Sequence, residues 1–330
     1  MTLRKIFAGF LPTAAAWLAV MAIAPALAQN YPTRAITLIV PAAAGGPTDA
    51  VSRLIAESMT RTLGQQIIVE NAGGAGGTIG MARVAKATPD GYTIAVWHIG
   101  QATAPSLYKD LRYNVIDDFD SIGRIADVPM TIVGKTALEA KNIKELIAWI
   151  KANKAAVTYA HAGIGSAAHL CALMFMHAIN VQLTAVSYRG TGPALTDLMG
   201  GQFDMMCDQT TTTAAQIKGG KIKGYAATTK QRLAVLPDLP TLDESGLKGF
   251  EVSAWHAMWA PKGLPPEAAQ KLTAALQTAI KDDKIRERLA ALGADPVKPE
   301  QATPQALSAH LKAEIAKWSP VIEAAGVKAN

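Results

Sequence analysis

Two glycine-rich loops, each between an apolar strand pattern and a helical pattern, are the first candidates for chemistry. The segments Ile39–Ile55 (IVPAAAGGPTDAVSRLI) and Tyr159–Phe175 (YAHAGIGSAAHLCALMF) repeat this order 120 residues apart. The first N–H groups of a helix lack partners and carry partial positive charge, and glycines let a ligand approach the backbone. Such a loop binds an anion without Lys or Arg. Either loop alone is as often an ordinary turn that binds nothing, but two together favour a binding site.

The residues inside these loops indicate binding rather than catalysis. In the first loop Thr48 or Asp49 is the expected helix cap, and in the second loop Ser166 is. The sequence GIGSAAH is not the G-x-S-x-G turn of hydrolases, because Ser166 and His169 belong to one helix start. If backbone N–H groups hold a carboxylate, side chains added at the loop glycines should abolish binding, as in Gly46→Val and Gly165→Val.

A third glycine stretch, GAGGTIG over Gly74–Gly80, follows the strand pattern Gln66–Val69. Its spacing is G-x-G-x-x-x-G rather than the G-x-G-x-x-G of dinucleotide-binding turns. The next acids, Asp90 and Asp110, are too close and too far for a ribose contact. We therefore expect a tight turn that packs the following helix on its sheet, so that Gly76→Ala would reduce stability more than affinity.

Polar residues that follow other strand patterns are weaker candidates, because ligands of open sheets bind at strand carboxyl ends. His98 is either a wall of the ligand site or a structural histidine, and the same alternatives apply to His161 and His256. Asp208 could meet a ligand ammonium group or cap the next helix, and Arg189 could pair with a carboxylate or lie on the surface. The six histidines form no H-E-x-x-H or other closely spaced set, so no metal site is expected.

Apolar runs alternate with amphipathic patterns along most of the chain. The predicted strands are Ala35–Pro41, Gln66–Val69, Tyr92–Trp97, Val157–Ala160, Leu183–Ser187, Phe203–Cys207, Ile222–Ala227 and Val252–Ala260. The predicted helices are Thr48–Leu63, Thr78–Lys86, Ile143–Ala152, Ala167–Ile179, Ala194–Met199, Pro265–Lys281, Asp283–Leu292 and Pro304–Ala325. Strands separated by helices indicate an α/β fold with parallel sheets and helices on both faces.

The first 28 residues have the parts of a secretory signal peptide: the basic pair Arg4 and Lys5, an apolar stretch, and the small-residue site Ala26–Ala28. We expect an exported protein that begins at Gln29, with an uncleaved anchor as the alternative. Without Arg4 and Lys5, the net charge falls from +6 to +4. Acids and bases are interspersed and form no basic run, which argues against nucleic acid as a partner.

The two cysteines, Cys171 and Cys207, would lie in an oxidising compartment, where either a disulfide or two buried thiols is possible. Cys171 lies one turn into the helix after the second loop, and Cys207 ends a predicted strand at the same face. We therefore expect Cα atoms within about 7 Å and a disulfide.

Several motifs across the expected mature chain resemble one family. They are YPTRAITLIVPAAAGGPTD, VENAGGAGGTIGMARVAKATPDGYT, AGIGSAAHL, YRGTGPALTDLMGGQFDMMCD and GKIKGYAATTKQRLAVLPDLPTLDESGLKGFEV. In this order they resemble the Bug family, the periplasmic solute-binding proteins of tripartite tricarboxylate transporters. Cys171, Cys207 and the segment CDQTTTTAAQIKGGKIK look most like the BugD-type subgroup, which is associated with aspartate and related amino acids.

The resemblance implies a type II periplasmic-binding-protein fold, in which two doubly wound domains are joined by a hinge that the chain crosses twice. The implied division is a signal peptide over residues 1–28, a first domain over 29–128 and 254–330, and a second domain over 129–253. The resemblance also implies a carboxylate between the loops Ala43–Asp49 and Ala162–His169, with ordered water assisting. Ala42 stands where the family usually has an aromatic residue, which leaves room for a bulkier ligand.

We therefore predict a monomeric periplasmic binding protein that uses no cofactor and is not an enzyme. It would capture a small carboxylate, either an acidic amino acid such as aspartate or a dicarboxylate, for the membrane subunits of a tripartite tricarboxylate transporter. A sensor for a membrane kinase would share the fold and the site, and an exported hydrolase is disfavoured by the missing motifs. The expected ligand-binding residues are Ala44, Gly45, Gly46, Pro47, Thr48, Asp49, His98, Gly163, Ile164, Gly165, Ser166, Ala167, His169 and Asp208.

Overall fold

The computed structural model describes residues 31–329 of the chain. The expected signal peptide, residues 1–28, lies outside the described residues. Across 31–329, no helix combines the length and the apolar character needed to cross a bilayer.

Strands and helices alternate through most of the described chain. The strands are β1 Ile36–Val40, β2 Ile67–Asn71, β3 Thr93–His98, β4 Phe119–Gly134, β5 Thr158–His161, β6 Thr184–Ser187, β7 Met205–Gln209, β8 Lys223–Ala227, β9 Ser253–Pro261 and β10 Asp295–Pro296. The α-helices are α1 Pro47–Leu63, α2 Thr78–Ala85, α3 Gly100–Leu107, α4 Ile143–Asn153, α5 Ala167–Ile179, α6 Thr191–Met199, α7 Thr210–Lys218, α8 Pro266–Lys281, α9 Asp283–Ala291 and α10 Pro304–Ala325. The bounds of α5 and α10 are those predicted, and most other predicted elements lie within two residues of the observed ones.

The sequence patterns missed the helix α3, the strand β4 and the two-residue strand β10, which pairs with β4. The helix α3 has the sequence GQATAPSL, whose small and polar residues and internal Pro105 give little helical periodicity. The strand β4 contains Gly123, Asp127 and Pro129, residue types that local propensity disfavours in a strand. The elements α3 and β4 form because contacts with distant parts of the chain stabilise them. The helix α10 packs against α3 and β4, and β4 pairs along most of its length with other strands.

The sheet is mixed, so the expectation of parallel sheets was only partly correct. The strand order is β2-β1-β3-β9-β4-β7-β5-β6, with β8 and β10 also pairing β4. The pairs β1–β2, β1–β3, β5–β6 and β5–β7 are parallel. The pairs that involve β4 or β9 are antiparallel, because these strands connect the two parallel groups and run back across them. The result is a mixed α/β architecture, in which two groups of parallel strands are joined by antiparallel strands.

The strand β4 passes from one parallel group to the other. Its first part, up to Pro129, pairs with β9, and its last part, from Met130 to Gly134, pairs with β7. The return passage is at Ser253, which lies opposite Pro129. We propose 29–128 with 254–330, and 129–253, as the two domains, because the chain changes group at these two points.

A disulfide lies within the parallel group formed by β5, β6 and β7. The Cα atoms of Cys171 in α5 and Cys207 in β7 lie 6.0 Å apart, and their sulfurs are joined in a disulfide. The predicted proximity is therefore confirmed. Both residues are fully buried, so the bond ties α5 to the sheet from within the core.

Candidate functional site

A cavity of about 380 Å³ lies where the carboxyl ends of the strands from both groups meet. The N-terminal residues of α1, α5 and α6 reach this cavity: Thr48 from α1, Ala167 and Ala168 from α5, and Thr191 from α6. The N–H groups of a first helical turn have no partner four residues back, and they carry partial positive charge. Three such helix ends around one space favour a negatively charged ligand.

The first loop, Ala43–Asp49, is held in place by the side chain of Asp49, which does not line the cavity. Gly46, rather than Thr48 or Asp49, is the N-cap of α1, and no side chain caps this end. Asp49 instead accepts hydrogen bonds from the N–H of Gly45 (3.0 Å), from Arg53 Nε (3.0 Å) and from Asn71 Nδ2 (3.0 Å). Burial alone would raise the pKa of Asp49, but these hydrogen bonds lower it overall. Asp49 is therefore a positioning residue that holds the Gly45–Gly46 turn.

The second loop is capped as predicted. Ser166 is the N-cap of α5, and its Oγ accepts a hydrogen bond from the N–H of His169 (3.2 Å). His169 Nδ1 lies 3.3 Å from the N–H of Gly165, and His161 Nδ1 lies 3.1 Å from the N–H of Gly163. The two glycine N–H groups thus donate to the imidazoles, and the N–H of Ser166 donates to the Gly163 carbonyl, so the free donors of this loop come from Ala167 and Ala168.

The two imidazoles behind the second loop are kept neutral by their surroundings. Burial and the nearby His161 lower the pKa of His169 to about 3, and burial also lowers the pKa of His161. Because an uncharged imidazole nitrogen can accept a hydrogen bond, both rings can hold the loop at neutral pH. These histidines position the loop and do not supply charge to the cavity.

The third glycine stretch also lies on the cavity, contrary to the expectation of a packing role alone. Gly74, Ala75, Gly76 and Gly77 are among its lining residues. A Cβ placed on Gly76 would lie 2.0 Å from the carbonyl oxygen of Ile164, which belongs to the second loop. Only a glycine lets these two loops approach so closely.

A hydrogen bond across the cavity accompanies this contact. The hydroxyl of Tyr108, just beyond α3, donates to the carbonyl oxygen of Ile164 (2.7 Å). The C-terminal segment fixes the chain beside Tyr108, since the N–H of Ala329 donates to the carbonyl of Leu107 (2.8 Å), and Ala329 also lines the cavity. The third loop and Tyr108 together contact the second loop from the opposite group of strands.

The segment from Ser187 to Thr191, between β6 and α6, forms a further wall. A Cβ on Gly190 would lie 2.6 Å from the Cβ of Ala43, so this segment packs directly on the first loop. The Thr191 hydroxyl donates to Asp208 Oδ1 (3.1 Å). The sequence patterns began α6 at Ala194 and so did not reveal that its first turn lies at the site.

Asp208 is buried at this wall. Besides Thr191, its carboxylate accepts a hydrogen bond from the hydroxyl of Thr212 (2.7 Å). Burial raises the pKa of Asp208 to about 6, although the hydrogen bonds from Thr212, the Gln209 backbone and Thr191 oppose the shift. The residue lines the cavity, but both of its carboxylate oxygens accept hydrogen bonds that hold α6 and α7 in place.

His98 and His256 are paired across β3 and β9, and their rings meet edge to face at 5.9 Å. His98 Nδ1 accepts from the N–H of Gly100 (2.9 Å), and its ring stacks on Trp97 at 3.8 Å. His256 Nε2 lies 3.1 Å from Thr48 Oγ1. Burial lowers the pKa of His256 to about 3, and burial together with His256 lowers the pKa of His98. His98 therefore forms a neutral wall of the cavity.

The structure brings most, but not all, of the predicted site residues to the cavity. Those that line it are Gly46, Pro47, Thr48, His98, Gly163, Ile164, Ser166, Ala167 and Asp208. Those that lie behind it are Ala44, Gly45, Asp49, Gly165 and His169. Two residues that the sequence analysis weighed without listing them among the expected binding residues, Ala42 and Arg189, also line the cavity. Further lining residues that were not expected include Gly74, Ala75, Gly76, Gly77, Trp97, Tyr108, Tyr188, Gly190, Thr191 and Gln209. Most of these further residues carried no signal in the sequence, because no side chain caps the helix that follows their loop.

A two-group α/β fold with helix N-termini around a cavity between the groups defines a solute-binding protein. Solved structures of this class match the chain. The periplasmic binding protein BugD is 50% identical, with a TM-score of 0.88 over 90% of this chain and 99% of that one. MatC from Rhodopseudomonas palustris, solved with bound malate, is 39% identical, with a TM-score of 0.85 over 88% of this chain and 100% of that one.

Comparison of amino-acid sequences indicates the same class of protein as the solved structures do. The UPF0065 protein of the TAR-I ttuE-ttuC' intergenic region of Agrobacterium vitis is 52% identical over 92% of this chain and 89% of its own length. Residues 51–327 match the family described as "Tripartite tricarboxylate transporter family receptor". The chain belongs to this family, TctC, which includes the Bug solute-binding proteins.

Proposed function

We propose that this protein captures a small carboxylate, either an acidic amino acid such as aspartate or a dicarboxylate, in the periplasm. It would then deliver the ligand to the membrane subunits of a tripartite tricarboxylate transporter. The observation that carries the proposal is the convergence of three helix N-termini on one cavity of about 380 Å³. The malate bound to MatC, a relative with 39% identity, supports the same ligand class.

The proposed role sets the binding free energy that the site must supply. A dissociation constant in the micromolar range corresponds to about −8 kcal/mol. Four to six hydrogen bonds to a carboxylate, at about 1.5–3 kcal/mol each, reach this value after the cost of ordering the ligand and the loops. Because the loops contact one another across the cavity, ligand binding and closure of the two groups would occur together.

The test uses the purified mature protein. Mass spectrometry of small molecules released on denaturation would identify any retained ligand. Calorimetric titration would then compare aspartate, malate and succinate with succinamide, a neutral molecule of similar size. We expect saturable binding of the acids, no binding of succinamide, and no turnover. Turnover that depends on Ser166, or equal binding of succinamide, would contradict the proposal.

A further inference from the structure

Arg189 is the only Lys or Arg among the described residues that line the cavity. It is exposed, and within 31–329 its side chain takes part in no ion pair or hydrogen bond. Asp208, the only acid of the same lining set, is buried and holds Thr191 and Thr212 instead. A permanent positive charge at the wall of a small cavity is therefore left available to a ligand.

The neighbours of Arg189 place it between the two anion-binding loops. On one side, Gly190 packs against Ala43 of the first loop, since a Cβ on Gly190 would lie 2.6 Å from the Cβ of Ala43. On the other side, the carbonyl oxygen of Tyr188 lies 3.6 Å from the position of a Cβ on Gly163 in the second loop. The backbone of Arg189 is thus held next to both loops.

Two further contacts fix this segment. The Tyr188 hydroxyl donates to Asp197 Oδ2 (2.7 Å) in α6, and Thr191 donates to the buried Asp208. Arg189 therefore projects from a segment that is tied down on each side of it. A guanidinium on a fixed backbone loses less freedom when it pairs with a carboxylate, so its contribution to affinity is larger.

We propose that Arg189 pairs with a second carboxylate of the ligand while the helix N-termini hold the first. This inference rests on the proposed function and deepens it: it names the residue that recognises the second carboxylate of an acidic amino acid or a dicarboxylate. The backbone donors recognise any small acid, and Arg189 distinguishes a diacid from its monoacid analogue. Arginine suits this role because its planar fork of N–H donors matches a carboxylate.

The experiment compares matched ligands in which one carboxylate is replaced by a carboxamide: succinate with succinamate, and aspartate with asparagine. Calorimetric titration would measure all four with the wild-type protein and with Arg189→Gln, Arg189→Lys and Arg112→Gln. Arg112 is an exposed arginine away from the cavity, so its variant controls for the loss of one positive charge.

We expect the wild-type protein to prefer the diacid by about ten- to a hundredfold, the range of one charge-assisted contact. Arg189→Gln should remove this preference and leave the affinity for the monoamide within about twofold. Arg189→Lys should retain part of the preference, and Arg112→Gln all of it. The wild-type preference should also weaken as salt is added.

An unchanged preference in Arg189→Gln, or an equal loss of affinity for diacid and monoamide, would overturn the role of Arg189 while leaving carboxylate binding in place. A wild-type protein that binds none of the four ligands, nor any other small acid, would overturn the proposed function as well.

Discussion

Replacing Gly76 by alanine tests whether the third loop belongs to the binding site. Gly76 has φ +58°, in the left-handed region, and it contacts the second loop. The substitution has two separable effects. The strain of an alanine in the left-handed region exists whether or not ligand is bound, so it lowers the free energy of unfolding by about 1–2 kcal/mol.

The second effect is a steric clash, which arises only when the third loop contacts the second loop. The new Cβ would lie 2.0 Å from the Ile164 carbonyl oxygen and 2.6 Å from the Tyr108 hydroxyl. The carbonyl would have to retreat by about 1.4 Å to reach 3.4 Å, the lower end of ordinary contact. That displacement would break the bond from Tyr108 and misplace the donors of the second loop. Loss of one charge-assisted bond lowers affinity by roughly ten- to a hundredfold.

Gly64 provides the matched control. It is also in the left-handed region, at φ +68°, where it ends α1, and no atom lies within 4 Å of a Cβ placed on it. Gly64→Ala therefore introduces the strain without the contact. Melting temperatures and calorimetric titration with succinate and aspartate should show a similar loss of stability in both variants, but a loss of affinity only in Gly76→Ala. If Gly76→Ala binds as tightly as Gly64→Ala, the third loop has only a packing role.

Three further predictions concern other contacts. Tyr108→Phe removes the hydrogen bond to Ile164, so affinity should fall by about 0.5–1.5 kcal/mol while the melting temperature without ligand stays unchanged; an equal drop in both would refute a role in closure. The raised pKa of Asp208, about 6 against the usual 3.8, means that the folded protein gains a proton between pH 6 and 4 before the unfolded chain does. The free energy of unfolding of the wild type should therefore rise relative to Asp208→Asn as pH falls through this window, by up to about 3 kcal/mol, and parallel denaturation profiles would contradict this. The disulfide between Cys171 and Cys207 spans 36 residues, so reducing it should cost about 4 kcal/mol in denaturant unfolding, and two free thiols in alkylated periplasmic material would show that it does not form in the cell.

The parts of the site that depend only on residues adjacent in the sequence could be predicted from the sequence. A glycine loop, a small hydroxyl residue and an amphipathic run are read within about two helical turns, which is why the start of α5 and its Ser166 cap were predicted correctly. The alternation of apolar and amphipathic segments likewise indicated the α/β class. These features are local, since chain sterics, capping and side-chain periodicity produce them before any distant contact forms.

Which loops meet depends instead on the tertiary arrangement. Gly76 and Ile164 are far apart in the sequence, and no periodicity in either segment shows that they touch. The same reason explains why β4 was missed: its glycine and proline are tolerated because partner strands pair with it. Arg189 resembles any surface arginine until Gly190 and Tyr188 are seen against the two loops. Packing between distant segments turns such residues into a site, and that information lies in the arrangement of the strands rather than in any single stretch of the chain.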